Sequence, residues 1–561
     1  MGGRIIRLQI ALVVALALIL GRLAQLQLVQ GGTFRRLAEQ NRLRIVPEAG
    51  PRGVIYDRKG RILAATQTVF RVALVPQDIR DLPTALAHVS LIVQRPVPAL
   101  TKAYKKERSL AFLPATIVSR VPKDIALRLE EERWRLPGVL VQAETARAYP
   151  QGPLAAHVLG YVGLPSPEEY ERLKRDGVRF DDLIGRTGLE RRLDDILRGR
   201  AGGELVEVDH RARQVRTIGE RPSEAGHDAT LTLDAGLQSL VEASLGAQPG
   251  AVVVVDPDTG DILAMVSRPG YNPEAFALLD NELVTGYLTD AAAPLMNRAT
   301  TGAYAPGSTA KLVTAITALE QKVITPSTTI TCPGYMKIGD RTIHCWNRDG
   351  HGALDLRGAL LRSCNVYFMQ IGRWLGPARL RAGFAQAGFG RKTGWPLEEQ
   401  PGHIPQRRLT EGEVAMMAIG QTELLVTPLQ QALFAASLAN GGWLHQPRIV
   451  REDGRHPPIG HRIGFSRAAL DGVRPGMRAV VEDPDGTGHR AATGAITIAA
   501  KTGTAQSHIK DHPHGWILGY CPVDHPKAAF AIVVEHGGSG GDLPAEIARA
   551  LCEYIAAPET L

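Results

Sequence analysis

Cysteine and lysine are scarce in this chain of 561 residues, and each scarcity narrows what it can be. Five cysteines cannot build the disulfide framework of a small secreted domain. Only 13 lysines accompany 52 arginines, and the basic residues are spread along the chain instead of clustered. No zinc-finger, RNP-like or basic-helix pattern goes with the net charge of +8, so nucleic acid is not an expected partner. An anionic membrane or an anionic substrate fits the charge better. The one strongly apolar uncharged stretch lies at the N-terminus, which argues against a multi-span membrane protein. Glycine (59) and proline (37) are enriched without a period, so turns are implied and collagen is not. With 44% hydrophobic and 22% charged residues, the chain reads as globular. Its length far exceeds the ~150 residues of one domain.

The N-terminus reads as an anchor. Leu8 to Gly21 carries no charge, and the stretch lengthens to Phe34 if Arg22 snorkels to the interface. A single uncleaved span is expected, ahead of a cleaved signal peptide or a buried core helix. Arg4 and Arg7 on one side and Arg22, Arg35 and Arg36 on the other do not fix its orientation. Residues 35–225 are mixed and charge-rich, and they hold no cluster of catalytic type. Arg52 to Ala64 reads as two short strands around an Asp-x-x-Gly turn, and Ser166-Pro167-Glu168-Glu169 as a helix start. Composition shifts near Gly226. Ala251–Val255 and Ile262–Val266 form a hairpin, Trp516–Tyr520 and Ala528–Glu535 a second one, and Leu543–Ile555 a terminal helix. Strands at both ends with helices between them suggest a sheet covered by helices.

Three motifs carry chemistry. Pro306-Gly307-Ser308-Thr309-Ala310-Lys311 leads into an apolar helical run, so Ser308 and Lys311 share a helix face at i and i+3. A serine hydroxyl needs a base, and a lysine can serve when burial depresses its pKa. Ser363-Cys364-Asn365 lies between two helical runs and can relay a proton or hold an amide. Lys501-Thr502-Gly503-Thr504 ends a strand-like run, where a lysine can bind a carboxylate and a backbone N–H an oxyanion. Each motif alone is weak, and two have decoys. Ser507-His508-Ile509-Lys510 lacks the preceding turn and the following helix. Lys392-Thr393-Gly394 sits between Gly388-Phe389-Gly390 and Trp395-Pro396 and reads as a loop.

In that order, Ser-x-x-Lys, Ser-x-Asn and Lys-Thr-Gly resemble the penicillin-binding, serine-acylating transpeptidases. The resemblance covers about residues 50–561 and extends to the class B penicillin-binding proteins. Arg52 to Ala64 resembles their first non-catalytic motif. Arg147-Ala148-Tyr149-Pro150, His157 to Gly163, Gly185 to Glu190 with Leu197-Arg198-Gly199, Leu231 to Gln238 and Gly250 to Pro273 are similar to further segments. The resemblance implies an α/β (α+β) fold: a central, mainly antiparallel sheet between helices, a mixed N-terminal pedestal and one transmembrane helix. The implied domains are an anchor (1–34), a non-catalytic pedestal of dimerisation type (35–225) and a transpeptidase domain (226–561).

The resemblance also implies roles. Ser308 attacks the penultimate D-alanine carbonyl of a peptidoglycan stem peptide, and Lys311 takes its proton. Ser363 and Asn365 relay the proton and orient Lys311 and substrate. Lys501 and Thr502, with Gly503 and Thr504 beside them, hold the terminal carboxylate. The backbone N–H groups of Ser308 and Thr504 form the oxyanion hole. An amine from a neighbouring stem then resolves the acyl-enzyme as a cross-link, and β-lactams stall it. Only about 190 residues separate anchor and catalytic domain and class B pedestal motifs fill them, so glycan polymerisation in cis is not expected and a polytopic glycan polymerase of the shape-elongation-division family is the implied partner. The catalytic domain is expected outside the cytoplasm, anchored in the cytoplasmic membrane. Gly350-His351-Gly352 and the Gly160-Tyr161-Val162-Gly163 segment resemble the elongation type, penicillin-binding protein 2. Asn365 departs from the Asp often found there. A division-type enzyme and a scaffold that activates a polymerase are the alternatives. A β-lactamase or β-lactam sensor shares the three motifs but has no need of the pedestal segments. No cofactor is expected and no metal ligand is assigned. Cys332 and Cys345 leave three options open: a disulfide, a metal site with His344 or His351, or buried free thiols. Cys364 is read as a packing residue.

Overall fold

The computed structural model describes residues 2–32, 43–48, 50–108, 114–180, 182–208, 214–451, 457–507, 509 and 511–557. Arg35, Arg36 and the boundary expected at 34/35 lie outside the described residues, as do His508 and Lys510 of the second Ser-x-x-Lys match.

The N-terminal run folds as a helix, α1 (Gly2–Ala24), continued by a π-turn over Gln25–Val29. Its segment Ile5–Val29 has a mean hydropathy of 2.1 and its apolar window is not buried among the described residues, so by length and composition it can cross a membrane.

The pedestal is built on strands β1 (Ile55–Tyr56), β2 (Ile62–Leu74), β3 (Ala115–Val121) and β4 (Val139–Ala148), and β5 (Ala229–Thr230), from just past the boundary expected at 225, joins their sheet: β5-β1-β2-β3 lie in line and β4 also pairs β2. The Asp-x-x-Gly turn forms as the pattern requires. Asp57 Oδ1 accepts from the N–H groups of Lys59 and Arg61, both at 2.8 Å, and Gly60 takes φ +81°. Its other oxygen, Oδ2, accepts from Ala235 N of the catalytic domain, so one carboxylate caps both units. The motifs around Arg52, Arg147 and Glu190 converge into a buried ion network. Glu190, with no exposed surface, takes the guanidinium groups of Arg52 and Arg147 at 2.6 Å each, and Arg52 also pairs with Asp194 at 2.7 Å. A buried carboxylate survives only when paired in this way. Among the described residues of the pedestal these motifs are therefore structural.

The catalytic half has the antiparallel sheet that the two hairpins suggest. Strands β6 (Gly250–Val255), β7 (Ile262–Arg268), β8 (Ala499–Ala505), β9 (His514–Cys521) and β10 (Ala528–Val534) run in the order β7-β6-β10-β9-β8, every pair antiparallel. Almost every residue of β6, β9 and β10 is buried, because helices cover both faces. One face packs helices α2 (Ala235–Leu245) and α3 (Leu543–Ala556), where Leu237, Val241, Leu551 and Ile555 meet Val254, Phe530 and Ile532. On the other side the helices Lys311–Glu320, Asn365–Gln386 and Pro428–Ala439 share one core, and the last of them packs directly on β6, β9 and β10. The site forms where β8, the edge strand, meets the first of these.

Candidate active site

Gly307–Ala310 is a 3₁₀ turn that runs into the helix Lys311–Glu320, so Ser308 lies one turn before the helix proper. In 3₁₀ geometry residues i and i+3 eclipse, which puts Lys311 on the same side of the turn as Ser308. Gly307 makes the entry possible. Its φ is +55°, and a Cβ there would stand 2.7 Å from the carbonyl oxygen of Thr504. The Ser308 loop therefore lies against the Lys501–Thr504 strand. Gly503 is needed for the same approach, since a Cβ would meet Pro306 O at 3.0 Å and Thr309 Cγ2 at 3.1 Å.

The helix before Ser363 ends at Leu361 and the next begins at Asn365. Ser363 fills the gap in the left-handed region, with φ +49°. An L-residue with a Cβ is strained there by roughly 1 kcal/mol. This conformation turns both its carbonyl and its hydroxyl toward Lys311. Lys311 Nζ donates to Ser363 O at 2.7 Å, Asn365 Oδ1 at 2.7 Å and Ser363 Oγ at 3.2 Å. From the opposite side, Lys501 Nζ donates to Ser363 Oγ at 2.9 Å and to Thr502 O at 2.9 Å. One serine oxygen thus joins two lysines. Both lysines have no exposed surface. Burial brings Lys311 down to about 8, and burial plus the neighbouring Lys311 charge holds Lys501 well below the ordinary ammonium value.

Above them opens a cleft of about 990 Å³, lined by Ser308, Ser363, Asn365, Thr502, Gly503 and Thr504 together with Trp346, Gln421, Thr487 and Asp511. All eight residues singled out from the sequence meet here. Thr487 was missed: its hydroxyl lies 2.6 Å from that of Thr502, a contact that nothing in the local sequence signals. Both decoys are tied into turns. Glu399 accepts from Thr393 N, Thr393 Oγ1 and Gly394 N. Ser507 Oγ accepts from Ile509 N and donates to a carbonyl of its own loop.

Two family models match the chain. The penicillin binding protein transpeptidase domain matches residues 250–553, and the penicillin-binding protein dimerisation domain matches residues 47–231. The chain belongs to the penicillin-binding proteins. It is 32% identical to the peptidoglycan D,D-transpeptidase MrdA of Escherichia coli K12, across 93% of this chain and 89% of that protein. Identity with MrdA of Haemophilus influenzae is 33%, across 94% and 88%. Among solved structures it resembles penicillin-binding protein PBP2 of Helicobacter pylori in complex with MreC. That match has a TM-score of 0.77 and 28% identity, covering 92% of this chain and all of that one. PBP2 of Pseudomonas aeruginosa in complex with WCK 5153 matches with a TM-score of 0.68 and 28% identity, over 91% and 96%. This penicillin-binding protein is thus a serine-type D-Ala-D-Ala transpeptidase, similar to MrdA and to PBP2.

Beside the site lies a second cluster. Cys332, Cys345, His351 and Cys364 present ligand atoms all within 4.8 Å of one another. Both Cys332 Sγ, at 3.5 Å, and Cys345 Sγ, at 3.6 Å, approach His351 Nδ1. All five cysteines are free thiols, so the disulfide considered for Cys332 and Cys345 is absent. His344 is exposed and outside the cluster. Cys364, read as a packing residue, is buried and also brings its thiol into this cluster. Hydrogen bonding with Cys364 pulls the Cys345 thiol down and pushes Cys364 up. Three thiols and one imidazole are the donor set of a closed tetrahedral zinc site. Sequence spacing hid it, since Cys364 arrives from the Ser-x-Asn motif.

Proposed function

We propose that this chain cross-links peptidoglycan stem peptides through an acyl-enzyme on Ser308, during cell elongation and shape maintenance. The observation that carries the reading is Ser363 Oγ, in hydrogen-bond reach of both Lys311 and Lys501 beneath the cleft onto which Ser308 opens. Neutral Lys311 takes the Ser308 proton as Oγ attacks the penultimate D-alanine carbonyl. The resulting Lys311 ammonium donates to Ser363 Oγ, which also accepts from Lys501, and the Ser363 hydroxyl hydrogen passes to the departing D-alanine nitrogen as the Lys311 proton replaces it. Asn365 holds Lys311 in place. The hydroxyls of Thr502 and Thr504 and the charge of Lys501 receive the terminal carboxylate. The N–H groups of Ser308 and Thr504 hold the oxyanion. In the second half-reaction an amine attacks the ester carbonyl, the bond to Ser308 Oγ breaks, and an amide cross-link forms. β-Lactams acylate Ser308 by the same route.

The chain divides into an anchor (1–34), a pedestal (35–225) and a transpeptidase domain (226–561). The anchor lies in the cytoplasmic membrane and the catalytic domain outside the cytoplasm. The pedestal engages a polytopic glycosyltransferase of the shape-elongation-division family and a protein of the MreC kind. Cys332, Cys345, His351 and Cys364 hold one structural zinc, which fixes the backbone on both sides of the Ser363–Asn365 motif; elemental analysis of the purified chain checks this. Labelling with a fluorescent penicillin tests the main reading. The wild type labels and Ser308→Ala does not; labelling that survives Ser308→Ala would refute it. Depletion in cells yields rounding if the role is elongation and filamentation if it is division.

A further inference from the structure

The cleft is electrically two-ended. Beneath its floor, under Ser363, lie two buried lysines, Lys311 and Lys501. Among the described residues lining it, one carboxylate is present, Asp511, on the loop that joins β8 to β9. Asp511 is exposed and held with φ +63°, a left-handed conformation that Asp tolerates better than most residues. The loop around it is pinned. Ser507 Oγ accepts from Ile509 N at 3.0 Å, His536 Nδ1 lies 3.1 Å from His512 O, and Gly538 N donates to Pro513 O at 3.1 Å. The carboxylate is therefore presented at the rim by a braced turn, opposite in sign to the floor.

We propose that Asp511 receives the acceptor's ammonium group, making it a specificity-determining residue for the second half-reaction. This inference rests on the transpeptidase reading above. The two substrates of that reaction differ in charge where they enter. The donor ends in a carboxylate, which the floor lysines attract. The acceptor arrives as a cation, and a rim carboxylate raises its local concentration beside the acyl-enzyme. Asp511 binds and orients and takes no part in bond-making. The ammonium passes one proton to Lys311, its neutral nitrogen attacks the ester carbonyl, Ser308 Oγ leaves with that proton, and the second proton of the attacking nitrogen is released to water in the open cleft as the amide forms.

The test uses the full-length chain in detergent, an N-acyl-D-alanyl thioester as donor, and two competing acceptors. Glycinamide is cationic near neutral pH and hydroxylamine is neutral. Asp511→Asn is expected to raise the half-saturating glycinamide concentration about three- to tenfold. The hydroxylamine value and the rate of penicillin acylation stay within twofold of wild type, and Asp511→Glu restores most of the glycinamide affinity. Added salt weakens glycinamide use in the wild type and has little effect in Asp511→Asn. Equal shifts for both acceptors, or none for either, would overturn the inference while leaving Ser308 acylation intact. Failure of Ser308 to form an acyl-enzyme at all would instead remove the reading beneath it.

Discussion

Removing the Ser363 hydroxyl isolates its part in catalysis from its part in stability. Two substitutions are informative together, Ser363→Ala and Ser363→Gly. Both keep the main-chain carbonyl that accepts from Lys311 at 2.7 Å, and both delete the oxygen shared by Lys311 at 3.2 Å and Lys501 at 2.9 Å. Lys311 keeps two acceptors, whereas Lys501 keeps only Thr502 O. A charge-assisted hydrogen bond lost in a buried site costs about 1.5–3 kcal/mol. Both variants should therefore be destabilised, with the loss centred on Lys501. They should differ from each other, because the residue has φ +49°, which Ala tolerates poorly and Gly freely. Ser363→Gly is expected to be the more stable by about 1 kcal/mol. Acylation should fall in both by about 10²–10⁴-fold, the usual worth of a positioned proton relay. Rate constants for a fluorescent penicillin, read beside urea unfolding curves, separate the two effects. Near-wild-type acylation by Ser363→Gly would refute the relay.

Three further expectations follow from single features. Acylation should accelerate as pH rises through about 8, where buried Lys311 becomes the neutral base; a pH–rate profile flat between 6 and 9 would contradict it. His157, with Nε2 2.7 Å from Pro294 O across the pedestal–catalytic contact, is held near 4 by burial against 6.5 unfolded. Its contribution, up to about 3 kcal/mol, is therefore complete above 6.5 and lost as pH falls toward 4; urea melts of wild type and His157→Gln at pH 7.5 and 4.5 check it. Gly307→Ala places a Cβ 2.7 Å from Thr504 O at a positive φ, so acylation should fall at least tenfold and stability by about 1–3 kcal/mol, measured by the same two assays.

The sequence made the catalytic set legible because its members come in short motifs with a fixed local geometry. Ser308 and Lys311 lie one 3₁₀ turn apart, and Lys501 to Thr504 lie on one strand. The hairpins around Ala251–Val266 and Trp516–Val534 were legible for the same reason: their apolar runs are bounded by polar turns. What joins distant segments was not. Glu190 meets Arg52 across 138 residues. Asp57 meets Ala235 across 178, and Thr487 meets Thr502 across a loop. No local period encodes such contacts. The Cys332, Cys345, His351 and Cys364 cluster was hidden because its donors come from a strand end, a loop and a helix cap. The decoys were rejected on context, and side-chain hydrogen bonds now supply the physical reason. Thr393 and Ser507 spend their hydroxyls on their own turns.

The central claim is a covalent bond between Ser308 Oγ and the donor's acyl group. Peptide mapping by mass spectrometry, after rapid acid quench of the full-length chain with an N-acyl-D-alanyl thioester, tests it most directly. The account predicts the acyl mass on the peptide containing Ser308, present in wild type, absent in Ser308→Ala, and discharged by added amine. An acyl group on Ser507, or one that forms equally in Ser308→Ala, would contradict it.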